Sequence, residues 1–143
     1  AQLTHLVQRG YAVAAVSEDS DLLAYGCPRT LYKLDEHSAR ADLIVYEDLR
    51  NAEVGGIHLF DGKWAGEWEA WRGGLFRDMC ILSGTDYLPS MPGVGIHSAH
   101  ASIRQHRCLE RAAAQLARTK LRDGRDEALR AFLAEAANVR LVF

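Results

Sequence analysis

The residues that follow the apolar run Ala12–Val16 set the tightest limit on what this chain can become. Ser17-Glu18-Asp19-Ser20-Asp21 brings three carboxylates within four residues. They arrive at the carboxyl end of a stretch, Tyr11–Val16, that reads as a buried strand. In open α/β sheets the crevice outside the strand ends is where ligands sit. Asp19 and Asp21 are two apart, so in an extended segment their side chains leave on one face. Like charges held that close repel unless something positive lies between them. A hard divalent cation such as Mg²⁺, which takes carboxylates and waters, suits that gap. The alternative is an ordinary strand-to-helix turn in which Asp19 or Ser20 caps the next helix. On these residues alone both readings stand. Glu18 should point to the opposite face and lies outside either version of the site.

Around this stretch the pattern is that of a mixed α/β chain. Leu3, Leu6 and Val7 recur at helical spacing, predicting a helix over Ala1–Arg9 that Gly10 ends. That helix opens at residue 1 without a cap or leader, as expected of a chain cut from something longer. Asp21–Tyr25 reads as a short helical turn closed by Gly26. Pro28 belongs to a connector, and Thr30–Leu34 is β-rich and alternating, a second strand. Over residues 35–73 the signals are weak. Leu43–Tyr46 and Ile57–Phe60 fit short strands, and Asp61-Gly62 fits a hairpin turn. Trp64, Trp68 and Trp71 recur at spacings of four and three on one helical face, either as a packing face or as a base-stacking surface. Gly73-Gly74 interrupts. Helices are then predicted over Leu75–Leu82, Ile96–Arg104, Cys108–Lys120 and Arg125–Ala137, with Asp123-Gly124 between the last two. Val139–Phe143 reads as an apolar tail packed on the body.

At 143 residues and 48% apolar content the chain has material for one core of ordinary size. No run of about 18 apolar residues is present, so no membrane-spanning helix is expected. Three widely spaced cysteines, Cys27, Cys80 and Cys108, fit neither a disulfide framework nor a zinc knuckle and point to a reducing compartment. Charge is unevenly placed. Residues 1–96 hold 8 Lys/Arg and 14 Asp/Glu, whereas residues 97–143 hold 9 Lys/Arg and 5 Asp/Glu plus His97, His100 and His106. An acidic half that binds metal joined to a basic half that binds a polyanion would show this asymmetry; so would an ordinary Arg-rich helical surface.

The second informative element is the pair of helices around residues 75–104 and their long turn, Ser83 to Gly95. Gly93-Val94-Gly95 stands just before a helix. Glycine lets backbone approach a ligand, and a helix N-terminus offers free N–H groups to an anion such as a duplex phosphate. The opening end of the same turn carries Asp86, a position where aspartate is ordinarily a turn-former or cap.

Taken together, EDSDLLAYGC, MCILSGTDYLPSMPGVG and the closing run toward LVF resemble the structure-specific 5′ nucleases. This is the group of flap endonuclease, exonuclease I and the xeroderma group G repair nuclease, with the exonuclease I branch the nearest. The resemblance spans the chain except roughly residues 36–73. It implies an α/β fold: the C-terminal part of a PIN-like, Rossmann-like nuclease domain over residues 1–73, carrying a Trp-rich insertion. A helix–two-turn–helix and C-terminal helices over residues 74–143 would follow. It places divalent-metal ligands at Asp19, Asp21 and Asp86, for two Mg²⁺ or Mn²⁺ ions in an intact site. It assigns a monovalent cation such as K⁺ to Ser83, Ser90 and the Val94 carbonyl, and phosphate-facing amides to Gly93 and Gly95. Further family carboxylates should lie just ahead of residue 1. Ser98 occupies the place of the family's basic residue, with His97 and His100 nearby, which weakens the expected grip on phosphate.

The activity implied is 5′→3′ exonuclease and 5′-flap endonuclease cleavage of double-stranded DNA with 5′ ends, nicks or flaps. The setting implied is DNA repair in the nucleus. Other repair proteins are compatible partners that no residue here identifies. The 143-residue chain alone is expected to be inactive. Two other classes compete: a non-catalytic DNA-binding module built on the hairpin, and a small-substrate metal enzyme, such as a phosphatase or glycosyltransferase, using its Asp-x-Asp. A small-substrate enzyme has no need of the Gly84–Gly95 turn.

Overall fold

The computed structural model describes residues 1–54, 57–58, 60, 67–121 and 124–143. The expected turn at Asp61-Gly62, the ring of Trp64 and the loop residue Asp123 lie outside the described residues. The backbone divides into two units, Ala1–Glu69 and Ala70–Phe143. Together they give the mixed α/β composition that the sequence predicts.

The first unit opens with helix α1 (Gln2–Gln8) and strand β1 (Ala15–Val16). Helix α2 (Asp21–Ala24) follows, then strands β2 (Arg29–Asp35) and β3 (Arg40–Val45). The sheet runs β1-β2-β3, with β1 parallel to β2 and β2 antiparallel to β3. The expected strand over Tyr11–Val16 is thus corrected to two residues. Backbone N–H groups of Tyr11 and Ala12 both turn back to the Leu6 carbonyl, which keeps them off the ladder. Nor is the run buried: Tyr11 and Val13 are 79% and 81% exposed. What β1 does bury is Ala15, which packs with Val7, Leu22 and Cys27 in a small core between α1, α2 and the sheet.

Residues 46–51 form a 3₁₀ turn (Tyr46–Asn51), so β3 stops at Val45. Two-residue strands β4 (Glu53–Val54) and β5 (Ile57–His58) then pair with each other, and Phe60 lies beyond the strand expected to include it. Trp68, in helix α3 (Glu67–Ala70), packs on Tyr46 and Phe60 at ring-centroid distances of 5.9 and 6.0 Å, and its indole N–H donates to Glu47.

The second unit is helical. A π-helical turn (Trp71–Leu75) contains Gly74 at φ 142°, outside the helical region, which is how the expected glycine interruption is realised. Helices α4 (Phe76–Ser83), α5 (Ile96–His106), α6 (Leu109–Lys120) and α7 (Arg125–Val142) complete it. Trp71, Ile81, Leu82 and Ile103 are fully buried, each contributing about 1.5–3 kcal/mol through removal of apolar surface from water. Trp71 stacks on His100 at 5.4 Å. A ring with no exposure is a packing ring, so a base-stacking role is ruled out for Trp71. The expected apolar tail is corrected to the last turn of α7. Asn138 does not break the helix because Phe132, Ala136 and Val139 continue one buried face, while Leu141 stays 87% exposed.

Arg140 ties this unit together. Its guanidinium donates through Nε and Nη2 to both oxygens of buried Asp78, at 2.9 and 2.6 Å, and through Nη1 to Glu110 at 2.7 Å. One side chain of α7 therefore holds α4 and the first turn of α6. The Cys108 thiol donates to the other Glu110 oxygen at 2.8 Å. The Cys108 contact, then the helix backbone and the Arg140 charge, hold the Glu110 carboxyl below its ordinary value.

Candidate active site and nucleic-acid interface

In the first unit the acidic loop is laced to the sheet. Ser17 N–H donates to the Leu31 carbonyl at 3.1 Å, continuing the parallel register Val16↔Leu31 beyond β1. Asp19 N–H donates to Ser17 Oγ at 3.0 Å, and Asp21 N–H donates to Asp19 Oδ1 at 2.9 Å. The latter bond forms an Asx turn leading into α2; the N-cap of the helix is Ser20, which makes no side-chain cap bond, so the capping alternative is not what the loop shows. The second Asp19 oxygen is not engaged by that bond. The premise of an extended Asp19–Asp21 segment fails: Asp21 is already the first residue of α2. Asp19 is exposed and Asp21 half-buried.

Glu18 stays apart from its neighbours. Its Oε1 accepts the Lys33 backbone N–H at 2.6 Å. Tyr32 Oη donates to the Asp19 carbonyl at 3.3 Å. Partial burial pushes the Tyr32 phenol above its usual value, and the charges of Asp19 and Glu18 add to the shift, so it is a protonated donor at neutral pH. Neither contact was legible from local pattern. The signal that could have found Tyr32 is its place on the strand paired beside the acidic loop.

In the second unit, Asp86 stands exposed at the tip of a tight turn. Thr85 and Leu88 exchange backbone hydrogen bonds at 2.9 and 3.2 Å, and Thr85 Oγ1 accepts from the N–H groups of Tyr87 and Leu88. Leu88, Met91 and Val94 are buried and pin the turn to the helices, leaving Pro92, Gly93 and Gly95 outside. Ser83 Oγ donates to the Cys80 carbonyl at 2.8 Å. The next residue, Gly84, comes so close to Ser90 that a Cβ would meet the Ser90 nitrogen at 3.0 Å, and its φ is +101°. This approach brings Gly84, the neighbour of Ser83, against Ser90 in the middle of the turn. Gly84→Ala is accordingly expected to destabilise the helical unit by about 2 kcal/mol, lowering its melting temperature by roughly 10 °C. An unchanged melting curve would contradict the close approach.

Gly93 has φ +76°, and Gly95 is the N-cap of α5. Ser98 closes that N-terminus: its hydroxyl accepts the Gly95 N–H at 3.1 Å and donates to the Gly95 carbonyl at 2.9 Å. An anion arriving at the Gly95 amide has to displace this cap. His97 is exposed on the first turn of α5.

The donor chemistry at Asp19, Asp21 and Asp86 is all carboxylate oxygen, the kind that hard divalent cations take. Two of these donors belong to the first unit and one to the second. Among the described residues, no group of three or more His, Cys, Asp and Glu is assembled that could hold a metal ion. The cysteines are free thiols, and no described helix is long and apolar enough to cross a membrane.

Comparison with known proteins bears on these two elements. The model of the XPG I-region matches residues 1–86. The chain belongs to the XPG I-region family. Exonuclease 1 of Oryza sativa subsp. japonica is 33% identical over 107 residues, covering 73% of this chain and 11% of that protein. Exonuclease 1 of Xenopus laevis is 37% identical over 98 residues, 68% of this chain and 12% of that protein. Flap endonuclease 1-B of Physcomitrium patens is 34% identical over 111 residues, 78% of this chain and 28% of that protein. Among solved structures, flap endonuclease-1 from Methanococcus jannaschii superimposes with a TM-score of 0.51 at 26% identity, covering 90% of this chain and 34% of that one. This XPG I-region chain is thus a 5′-nuclease-type α/β chain on the exonuclease I branch. It spans a small part of the curated relatives it matches.

Proposed function

We propose that this XPG I-region chain is part of the core of a metal-dependent 5′→3′ DNA exonuclease with 5′-flap endonuclease activity, serving DNA repair in the nucleus. The observation that carries the reading is the presence, in one family-matched chain, of a strand-end acidic loop and an Asp86 turn leading into a glycine-flanked helix start. Residues 1–73 would be the C-terminal part of the nuclease core and residues 74–143 its duplex-holding region. Asp19, Asp21 and Asp86 would hold Mg²⁺ or Mn²⁺, which when bound supplies a nucleophilic water at neutral pH and charge to steady the leaving oxygen. Asp19 would do so with its other oxygen while its Oδ1 keeps the bond from the Asp21 N–H. The exposed turn at Gly93 and Gly95 would receive a backbone phosphate, with His97 and Ser98 at its edge and Ser98 yielding its cap to the anion. K⁺ would sit among Ser83, Ser90 and the Val94 carbonyl, where the Gly84 approach draws the turn closed.

Three carboxylates are a thin ligand set for two ions, so the 143-residue chain alone is expected to cleave little or no nicked duplex at millimolar Mg²⁺. Robust, EDTA-sensitive hydrolysis by it would overturn that part of the reading. The basic balance of residues 97–143 favours one second reading, a DNA-binding module without catalysis. Either way, duplex binding should be indifferent to sequence and should weaken steeply with salt, with a slope near −0.9 per phosphate contacted. A salt-independent affinity would remove the duplex from both readings.

A further inference from the structure

The carboxylate that the proposed metal site leaves out is the one most firmly tied to the sheet. Residues Lys33 and Leu34 fall where the β2–β3 register shifts, between the pairs Tyr32↔Asp42 and Asp35↔Arg40. Lys33 has φ +52° there, a left-handed conformation that a non-glycine residue adopts only when its surroundings demand it. At this bulge the Lys33 N–H goes to Glu18 Oε1 at 2.6 Å, while the Lys33 ammonium turns away to Asp42 at 3.0 Å. The bond between residues 18 and 33 is therefore a backbone latch and not an ion pair. It is the third of three ties from consecutive β2 residues to consecutive loop residues. Leu31 accepts from Ser17 N–H, Tyr32 donates to the Asp19 carbonyl, and Lys33 donates to Glu18.

We propose that Glu18 is a positioning residue: by accepting the Lys33 N–H it fixes the attitude of the loop whose next residues are Asp19 and Asp21. Tyr32 assists through the Asp19 carbonyl. The proposal rests on the reading that Asp19 and Asp21 hold divalent metal. A loop tied at one end alone would present two mobile carboxylates; three ties remove that freedom before a cation arrives. Losing a partner that orients metal ligands typically weakens metal binding or activity by about 10–100-fold.

The test uses the full-length protein. Mn²⁺ alone is titrated and followed by the electron paramagnetic resonance of the free ion, with amide exchange at Lys33 and steady-state cleavage measured beside it. Glu18→Ala is expected to weaken Mn²⁺ binding about 10-fold, speed exchange at Lys33, and lower kcat about 10-fold with KM for duplex within about 2-fold. Glu18→Gln keeps a carbonyl oxygen that accepts the same N–H and should restore all three to within about 3-fold. Tyr32→Phe, which retains the ring, should fall between. Should Glu18→Ala not fold, a wild-type-like Glu18→Gln with a weakened Tyr32→Phe supports the proposal, and a Tyr32→Phe equal to wild type overturns it. Glu18→Gln as damaging as Glu18→Ala overturns it, because the charge and not the latch would then matter. Unchanged Mn²⁺ binding in Glu18→Ala overturns it too. Asp19→Asn run alongside separates the two failures: if it retains full Mn²⁺ affinity, the metal reading itself is lost. If it loses affinity while Glu18→Ala does not, only the latch is lost.

Discussion

Replacing Asp19 with alanine in the full-length protein is expected to lower kcat on a nicked or 5′-flapped duplex by about 10³-fold, or ~4 kcal/mol of transition-state stabilisation. Duplex affinity should stay within about 3-fold. Asp86→Ala should do the same, and the double variant should be scarcely worse than either single one, because residues that act as a unit lose their effect together. Asp19 has a second duty that the structure makes plain, since its Oδ1 accepts the Asp21 N–H in an Asx turn that leads into α2. Loss of that hydrogen bond costs about 1 kcal/mol, and a destabilised loop could imitate lost chemistry. Asp19→Asn separates the two duties: asparagine makes the same Asx turn as aspartate but carries no charge for a cation. An inactive, normally melting Asp19→Asn is the expected outcome. Near-normal cleavage by Asp19→Asn alongside a weak Asp19→Ala would reduce Asp19 to a turn-former.

The largest expected effect on stability lies far from the aspartates in sequence. Arg140→Ala would take from the carboxylate of Asp78, which is 6% exposed, both of its hydrogen bonds from Arg140 and leave it the more distant Arg77 Nε at 3.9 Å. Removing one partner of a buried pair costs about 3 kcal/mol or more, which for a unit of this size lowers the melting temperature by roughly 10–20 °C. Replacing both partners together with apolar residues of similar bulk, as in Arg140→Met with Asp78→Leu, should recover most of the loss, since no carboxylate is then left buried. Acid should act through Glu110. Its carboxyl is held low by Cys108, the helix backbone and Arg140, so its contribution is complete above the ordinary glutamate range and disappears as pH falls through the lowered value. Thermal melts from pH 7 down to 3 should show this loss in wild type, and Glu110→Gln should flatten it. A Glu110→Gln variant with an unchanged acid limb would exclude Glu110 from the linkage.

Local chemistry made the candidate stretches readable. Three acids after an apolar run, and Gly93-Val94-Gly95 ahead of α5, declare themselves within ten residues. Features set by distant partners did not show. Glu18 reaches Lys33 fifteen residues on, which needs the β1–β2 register to foresee. Asp78 looks like a surface residue of a short helix until Arg140, 62 residues away, buries it. The same long-range bond helps explain why α7 runs to Val142 through Asn138: tertiary packing outweighs the local preference of asparagine. At Tyr11 and Val13 the error ran the other way. Apolar composition predicts burial, yet backbone bonds to Leu6 draw Tyr11 and Ala12 off the ladder and Tyr11 and Val13 stay exposed. Between β3 and the π-helical turn, the described residues form a 3₁₀ turn, two paired two-residue strands and the four-residue α3, elements too brief for periodicity to register.

Whether aspartates from two separate stretches serve one cation site is tested most directly by anomalous scattering from Mn²⁺ in crystals of the full-length protein bound to cleaved duplex. The expected map places Mn²⁺ within about 2.1 Å, the distance such hard cations keep, of carboxylate oxygens from Asp19, Asp21 and Asp86 alike. Manganese bound elsewhere, or held by Asp19 and Asp21 with Asp86 taking no part, would contradict it.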